Sequence, residues 1–290
     1  MEEIKMKKII SIVLAAALML CTLFALASCG GAKYKVGVQS GTTGWSFMAG
    51  DADWEFKGFS NIDVASYDNG ALAVSALKAG NVDFVVIDAE VGKDLVAENA
   101  GTKVIDIALT TEDYGIAVDK NQEELLTKIN GVLSSKKAEI EAIIEKYAGV
   151  EDSNAASWSG DVIPAGEYDA SKNQLVVATN AAFAPFEFTV GNGFAGIDME
   201  IAKLVADTLG MELVIKDMDF DAITTSLGVN GVDIGIAGMT INPARQKVVN
   251  FTDSYYTDAY QVIIVKENDT TFDDCKTTED VLAKLNSLSK

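Results

Sequence analysis

Apolar and polar residues alternate in short blocks along residues 34–118. Strand-like runs fall at 35–38, 62–65, 83–87, 104–107 and 115–118. Residues 71–79 repeat their apolar positions at helical spacing and stop at Gly80, which predicts a helix. Two further helices are predicted over 122–133 and 138–147. In the first, Asn121 is an N-cap with Glu124 three residues on, a capping-box arrangement. In the second, Ile140, Ile143, Ile144 and Tyr147 share one face. Residues 150–172 hold Ser, Gly, Asp, Asn and Pro164 without periodicity and read as a linker. Past 173 the alternation resumes, with strands at 175–178, 212–216, 233–237 and 261–265 and a helix at 198–209 that stops before Gly210. Alternating elements of this length predict an α/β fold of parallel-rich sheets covered by helices.

The pattern also repeats itself faintly. SALKAGNVDFVVIDAE (75–90) lies without gaps on TSLGVNGVDIGIAGMT (225–240), with Leu77 on Leu227, Val82 on Val232 and Asp83 on Asp233. Each copy is a helix end, a turn and a strand. Asp88 and Gly238 then share a position just past the C-terminal end of a strand, the edge at which open α/β sheets bind ligands. Two such lobes predict a cleft between them.

Composition narrows the function. The chain has 290 residues, 49% hydrophobic, enough for a sizeable core. Lys and Arg number 23 against 43 Asp and Glu, a formal charge of −20, so a phosphate backbone is repelled and nucleic acid is excluded as a partner. There is no histidine, which removes the usual proton shuttle and the commonest transition-metal ligand, and no metal site is expected. Cys21, Cys29 and Cys275 form no even framework, so no structural disulfide is expected.

At the N-terminus, Lys5, Lys7 and Lys8 precede an apolar run from Ile9 to Ala27. That run is long enough to span a bilayer, yet it ends in the small residues of a cleavage site, Leu26-Ala27-Ser28-Cys29-Gly30. The pattern resembles a bacterial lipoprotein signal, in which Cys29 becomes the lipidated first residue. On that reading 1–28 is a signal peptide and 29–33 a lipid-anchored linker. The protein is then tethered to the outer face of a bacterial cell membrane, Gram-positive by expectation, rather than spanning it.

Several stretches carry a wider resemblance: VATNAAFAPFEF (177–188), FAGIDMEIAKLVADTLG (194–210), VDIGIAGMTINPARQKVVNFTDSYY (232–256), VGVQSGTTG (36–44), VDFVVIDAEVG (82–92) and TEDYGIAVDKNQEELLTKIN (111–130). Together they resemble the family-3 extracellular solute-binding proteins of polar amino-acid ABC transporters. The resemblance implies a type II periplasmic-binding-protein-like fold. Each of its two lobes is a mixed, mostly parallel sheet flanked by helices. The order differs from that family's. A lobe normally second comes first here, and DDCKTTEDVLAKLNSLSK (273–290) resembles the segment that normally precedes VGVQ. The lobes therefore read as circularly permuted, with 34–111 plus 270–290 as one lobe and 112–149 plus 173–269 as the other. Hinge crossings are expected near 112–118 and 265–270, and 150–172 joins the family's usual C- and N-termini. A truncated tandem array and a domain-swapped dimer are the competing explanations.

The resemblance implies a site for a free amino acid and no cofactor. Arg245 matches the arginine that holds the ligand carboxylate, a task suited to a guanidinium fork. Thr43, with Thr42 beside it, lies in a turn whose N–H groups and hydroxyl can take the same carboxylate. Asp88 matches the position that binds the ammonium. Gly238 and Thr240 match positions offering a carbonyl and a hydroxyl, and Phe183 and Phe220 match aromatic walls. Asn180 replaces a residue often acidic in members preferring basic ligands; with Met239 and the phenylalanines it favours a polar or neutral amino acid. The function implied is delivery of that ligand to an ABC permease after hinge closure. A sensor for a membrane receptor, a dehydratase-like enzyme with Glu187 as its carboxylate, and a chain that has lost binding are the alternatives, and no catalysis is expected.

Overall fold

A computed structural model describes residues 33–147 and 158–289. The expected signal peptide, with Cys21 and the lipidation site Cys29, and residues 150–157 of the linker lie outside the described residues. Two five-stranded sheets dominate. In the first, the order is Ile62–Tyr67, Tyr34–Gln39, Phe84–Asp88, Gln261–Lys266, Thr102–Ile105. Its first three strands are parallel, and Gln261–Lys266 runs antiparallel to both of its neighbours. In the second, the order is Glu212–Asp217, Gln174–Thr179, Ile234–Gly235, Ala117–Asp119, Val249–Phe251. Again three strands are parallel and the fourth, Ala117–Asp119, is antiparallel to both neighbours. The two halves thus share one topology, and the strands of the faint sequence repeat, Phe84–Asp88 and Ile234–Gly235, hold the third place in each.

Burial explains the sequence pattern. Every residue of Phe84–Asp88 and of Gln174–Thr179 is buried, as expected for central strands covered on both faces. Helices Gly70–Ala79 and Ala89–Glu98 pack on the first sheet, and Ile197–Leu209 packs on the second. Helix Thr278–Ser287 brings Val281 and Leu285 into an apolar cluster with Val36, Ile62 and the free thiol of Cys275. Tyr34–Leu288 forms one compact unit.

The expected crossing near 265–270 is corrected. The strand Gln261–Lys266, assigned by sequence to the 112–149 plus 173–269 lobe, lies inside the first sheet. Its QVIIVK run is buried over five positions and pairs on both sides, which only a central strand can do. The chain changes lobe earlier, at Tyr256–Ala259, which pairs with Glu112–Tyr114 in a two-stranded ribbon between the sheets. The capping box at Asn121 is also absent. The helix Glu123–Ser135 starts after Gln122, and the Asn121 N–H donates instead to Asp119 Oδ1 at 2.7 Å.

Candidate functional site

Gly238, Met239 and Thr240 form a ledge past the strand Ile234–Gly235. Gly238 has φ +52°, and a Cβ there would lie 2.7 Å from Phe183 Cε1. Both facts require glycine. The ledge runs into a one-turn helix, Pro243–Gln246, capped by Asn242, whose side chain accepts the Arg245 N–H at 2.6 Å. That cap turns Arg245 back over the ledge. Its guanidinium donates to Thr240 O at 2.8 Å and, across the cleft, to Gly41 O at 2.9 Å. It stands 5.1 Å above the Phe220 ring. Burial pulls its pKa down to about 10, opposed by the negative charges of Glu112 and Asp88.

Asp88 ends the strand Phe84–Asp88 and is 5% exposed. The Tyr114 hydroxyl donates to its Oδ1. Burial, and then the charge of Glu112, push Asp88 up to about 7. Burial and the same carboxylates push Tyr114 well above its ordinary value, so it stays a donor. Glu112 is buried too and accepts hydrogen bonds from Thr240 Oγ1 at 2.7 Å, Thr110 Oγ1 at 2.5 Å and Gln261 Nε2 at 3.1 Å.

The two halves meet through these residues. Thr43 Oγ1 and Thr240 Oγ1 share a hydrogen bond at 3.0 Å, and Gln39 Nε2 donates to Asn180 Oδ1 at 2.9 Å. Asn180 in turn donates to Met218 O at 2.8 Å. Buried Oε1 of Gln39 and Oε1 of Gln261 have no hydrogen-bond partner. Beside Glu112 and Thr240 an open groove of about 600 Å³ extends outward along Trp54, Glu55 and Pro243.

Of the predicted residues, hydrogen bonds link Arg245, Thr240 and Thr43, Phe220 lies under the Arg245 guanidinium, Phe183 lies against Gly238, and Asp88 and Asn180 are held by Tyr114 and Gln39. Thr42 and Met239 do other work. The Thr42 hydroxyl donates to Gln39 O at 2.9 Å and caps the helix Thr43–Ala49 by accepting from Trp45 N at 3.4 Å. Met239 is fully buried in an apolar cluster with Val176 and Ile223. Glu187 lies wholly inside the protein rather than facing the cleft. The sequence reading missed Glu112 and Tyr114. Among the described residues no cluster of His, Cys, Asp and Glu is arranged to hold a metal.

Residues 175–289 match the model of bacterial extracellular solute-binding proteins, family 3. The arginine-binding extracellular protein ArtP of Bacillus subtilis (strain 168) is 37% identical over 100 residues, 34% of this chain and 39% of that protein. The L-cystine-binding protein TcyJ of Escherichia coli (strain K12) is 29% identical over 114 residues, 39% of this chain and 42% of that protein. The arginine-bound form of domain 1 from TmArgBP is 36% identical, covering 42% of this chain and 100% of that one, with a TM-score of 0.28. The chain thus spans about two fifths of the length of the curated relatives ArtP and TcyJ. The similarity to the bacterial extracellular solute-binding proteins, family 3, thus lies in residues 175–289, which contain the Arg245 ledge.

Proposed function

We propose that the protein binds a free amino acid in the cleft between its lobes, outside the cytoplasm, and delivers it to an ABC importer permease. One observation carries this reading. A guanidinium from one half and a buried carboxyl from the other, Arg245 and Asp88, lie near enough for their charges to interact, matching the two charges of a zwitterion. A ligand carboxylate exchanges with Gly41 O for the Arg245 fork as the lobes part. Its ammonium takes the place of the Tyr114 hydroxyl at Asp88 or joins it. Closure is favoured only by contacts the ligand makes with both lobes.

On the side chain, two lines of support diverge. Asn180 and the phenylalanines favour a polar or neutral ligand. The unpaired acceptors Gln39 Oε1 and Gln261 Oε1, together with Glu112, suit a donor-rich one. ArtP and TcyJ are named for arginine and cystine. Calorimetry of protein stripped of ligand against L-arginine, L-cystine and L-glutamine decides. One-to-one binding supports the reading, and silence toward every common amino acid overturns it.

Two finer parts of the reading have their own tests. Anchoring through Cys29 is checked by incorporation of labelled palmitate, expected in the wild type and lost in Cys29→Ala. The circular permutation is supported by the antiparallel strand that each sheet takes from the other half of the sequence. A rearranged chain, 173–290 followed by 34–147, is expected to fold and bind the same ligand. Failure of the rearranged chain to fold would count against permutation.

A further inference from the structure

Glu187 and Asp198 are both 0% exposed. The backbone forces them together. The loop after Pro185 docks the start of helix Ile197–Leu209, with Ile197 N donating to Pro185 O at 3.1 Å and Asp198 N donating to Phe186 O at 2.8 Å. Gly196, at φ +124°, makes the approach feasible, since a Cβ there would lie 2.2 Å from Phe186 O. Asp198 Oδ2 then accepts two hydrogen bonds, from Gly238 N at 2.7 Å and from Tyr255 Oη at 2.9 Å. No N–H or O–H donor of another residue reaches its Oδ1 or either carboxyl oxygen of Glu187, and the two carboxyls lie within hydrogen-bond reach of each other.

A carboxylate with no donor cannot stay charged in a dry interior, whereas one with two donors can. We propose that Asp198 is a positioning residue for the ligand ledge, acting through the Gly238 amide, while Glu187 holds a proton so that the two carboxyls carry a single charge. The Gly238–Thr240 ledge is then fixed at both ends, by Asp198 at Gly238 N and by Arg245 at Thr240 O. The single negative charge sits behind the Ala237–Gly238 peptide, next to the one whose Gly238 carbonyl is offered to the ligand on the proposed reading. This inference rests on the amino-acid-binding reading only for its affinity arm.

Charge around the pair agrees with this division. Burial raises both groups, Asp198 to about 6 and Glu187 well above the ordinary range. Asp198, and after it Asp217 and Asp88, add to the rise at Glu187, while the Gly238 amide, the Tyr255 hydroxyl and the Glu187 carboxyl hold Asp198 down.

The test uses nitrogen-15-labelled protein and L-arginine as probe. The Gly238 amide proton resonance is expected to move as pH is scanned from 5 to 8, following the charge on Asp198. Asp198→Asn is expected to abolish that movement and to weaken L-arginine binding about tenfold, with a Tm no lower than wild type. Glu187→Gln, isosteric with the neutral acid, is expected to leave the midpoint of the Gly238 titration in place. A Gly238 amide indifferent to pH in the wild type overturns the proposal. So does unchanged affinity in Asp198→Asn, or a clear downward shift of the midpoint in Glu187→Gln, which would mean that Glu187 had been charged. If wild type binds no amino acid, the functional reading fails, and the ligand-free titration still decides the pairing.

Discussion

At the scale of single residues the site is a balance of buried charge. Asp88 must be ionised to hold an ammonium, yet burial raises it to about 7. Ligand binding then expels a proton at pH 6, and affinity is expected to fall about tenfold per unit as pH drops below 7. Calorimetry in buffers of different ionisation enthalpy checks this; a proton count of zero at pH 6 contradicts it. Arg245→Ala strands the ligand carboxylate and is expected to cost about 3–5 kcal/mol, or roughly two to three and a half decades of Kd. An unchanged Kd removes Arg245 from the site. Arg245, Asp88, Thr240 and Gly238 were legible because each sits in a motif or at a strand end. Glu112 and Tyr114 were not, because the strand reading began at residue 115 and overlooked a three-residue strand, Glu112–Tyr114, whose alternate side chains share one face. The signal was there in Glu-Asp-Tyr, with both ends buried and the middle exposed. Met239 misled because the residue between Gly238 and Thr240 turns the other way, into the apolar cluster with Val176 and Ile223.

Elements were read more easily than their partners. The strands at 35–38, 62–65, 175–178, 212–216 and 261–265 appear with ends extended by a residue or two. Period and composition mark a strand but say nothing of which sheet it joins, so Gln261–Lys266 was placed in the wrong lobe. The predicted strand 233–237 shortens to Ile234–Gly235 because the ledge takes over. Caps are local enough to test alone. Thr277 accepts the Asp280 N–H at 3.2 Å, and Asp280 Oδ2 accepts the Thr277 N–H at 3.0 Å, a reciprocal box on helix Thr278–Ser287. Thr277→Ala is expected to lower stability by about 1 kcal/mol in urea unfolding, leaving ligand affinity within error. A change in affinity would mean that this helix reports to the cleft.

For the whole molecule, pH acts through proton uptake on folding. Asp88, Asp198 and Glu187 are all raised, so the native state keeps protons that the unfolded chain has released. Their contribution is fully present below the unfolded carboxyl range and is lost as pH rises through about 6 to 7 and beyond. The formal charge of −20 acts in the same direction, since acidification relieves repulsion. The ligand-free protein is therefore expected to gain Tm on going from pH 8 to pH 5. A saturating ligand that keeps Asp88 ionised shrinks the gain. Scanning calorimetry reads both, and a Tm that falls over this window contradicts the assignment of these groups.

Among the described residues, the strand Thr102–Ile105 is bonded into the first sheet solely through Gln261–Lys266. During synthesis the ribosome makes the former long before the latter, so the first lobe cannot close its sheet until most of the chain has emerged. Early collapse into a finished lobe is thereby denied to a nascent chain. Emergence of Gln261–Lys266 is the step that closes the first sheet, after every strand of the second has already been made.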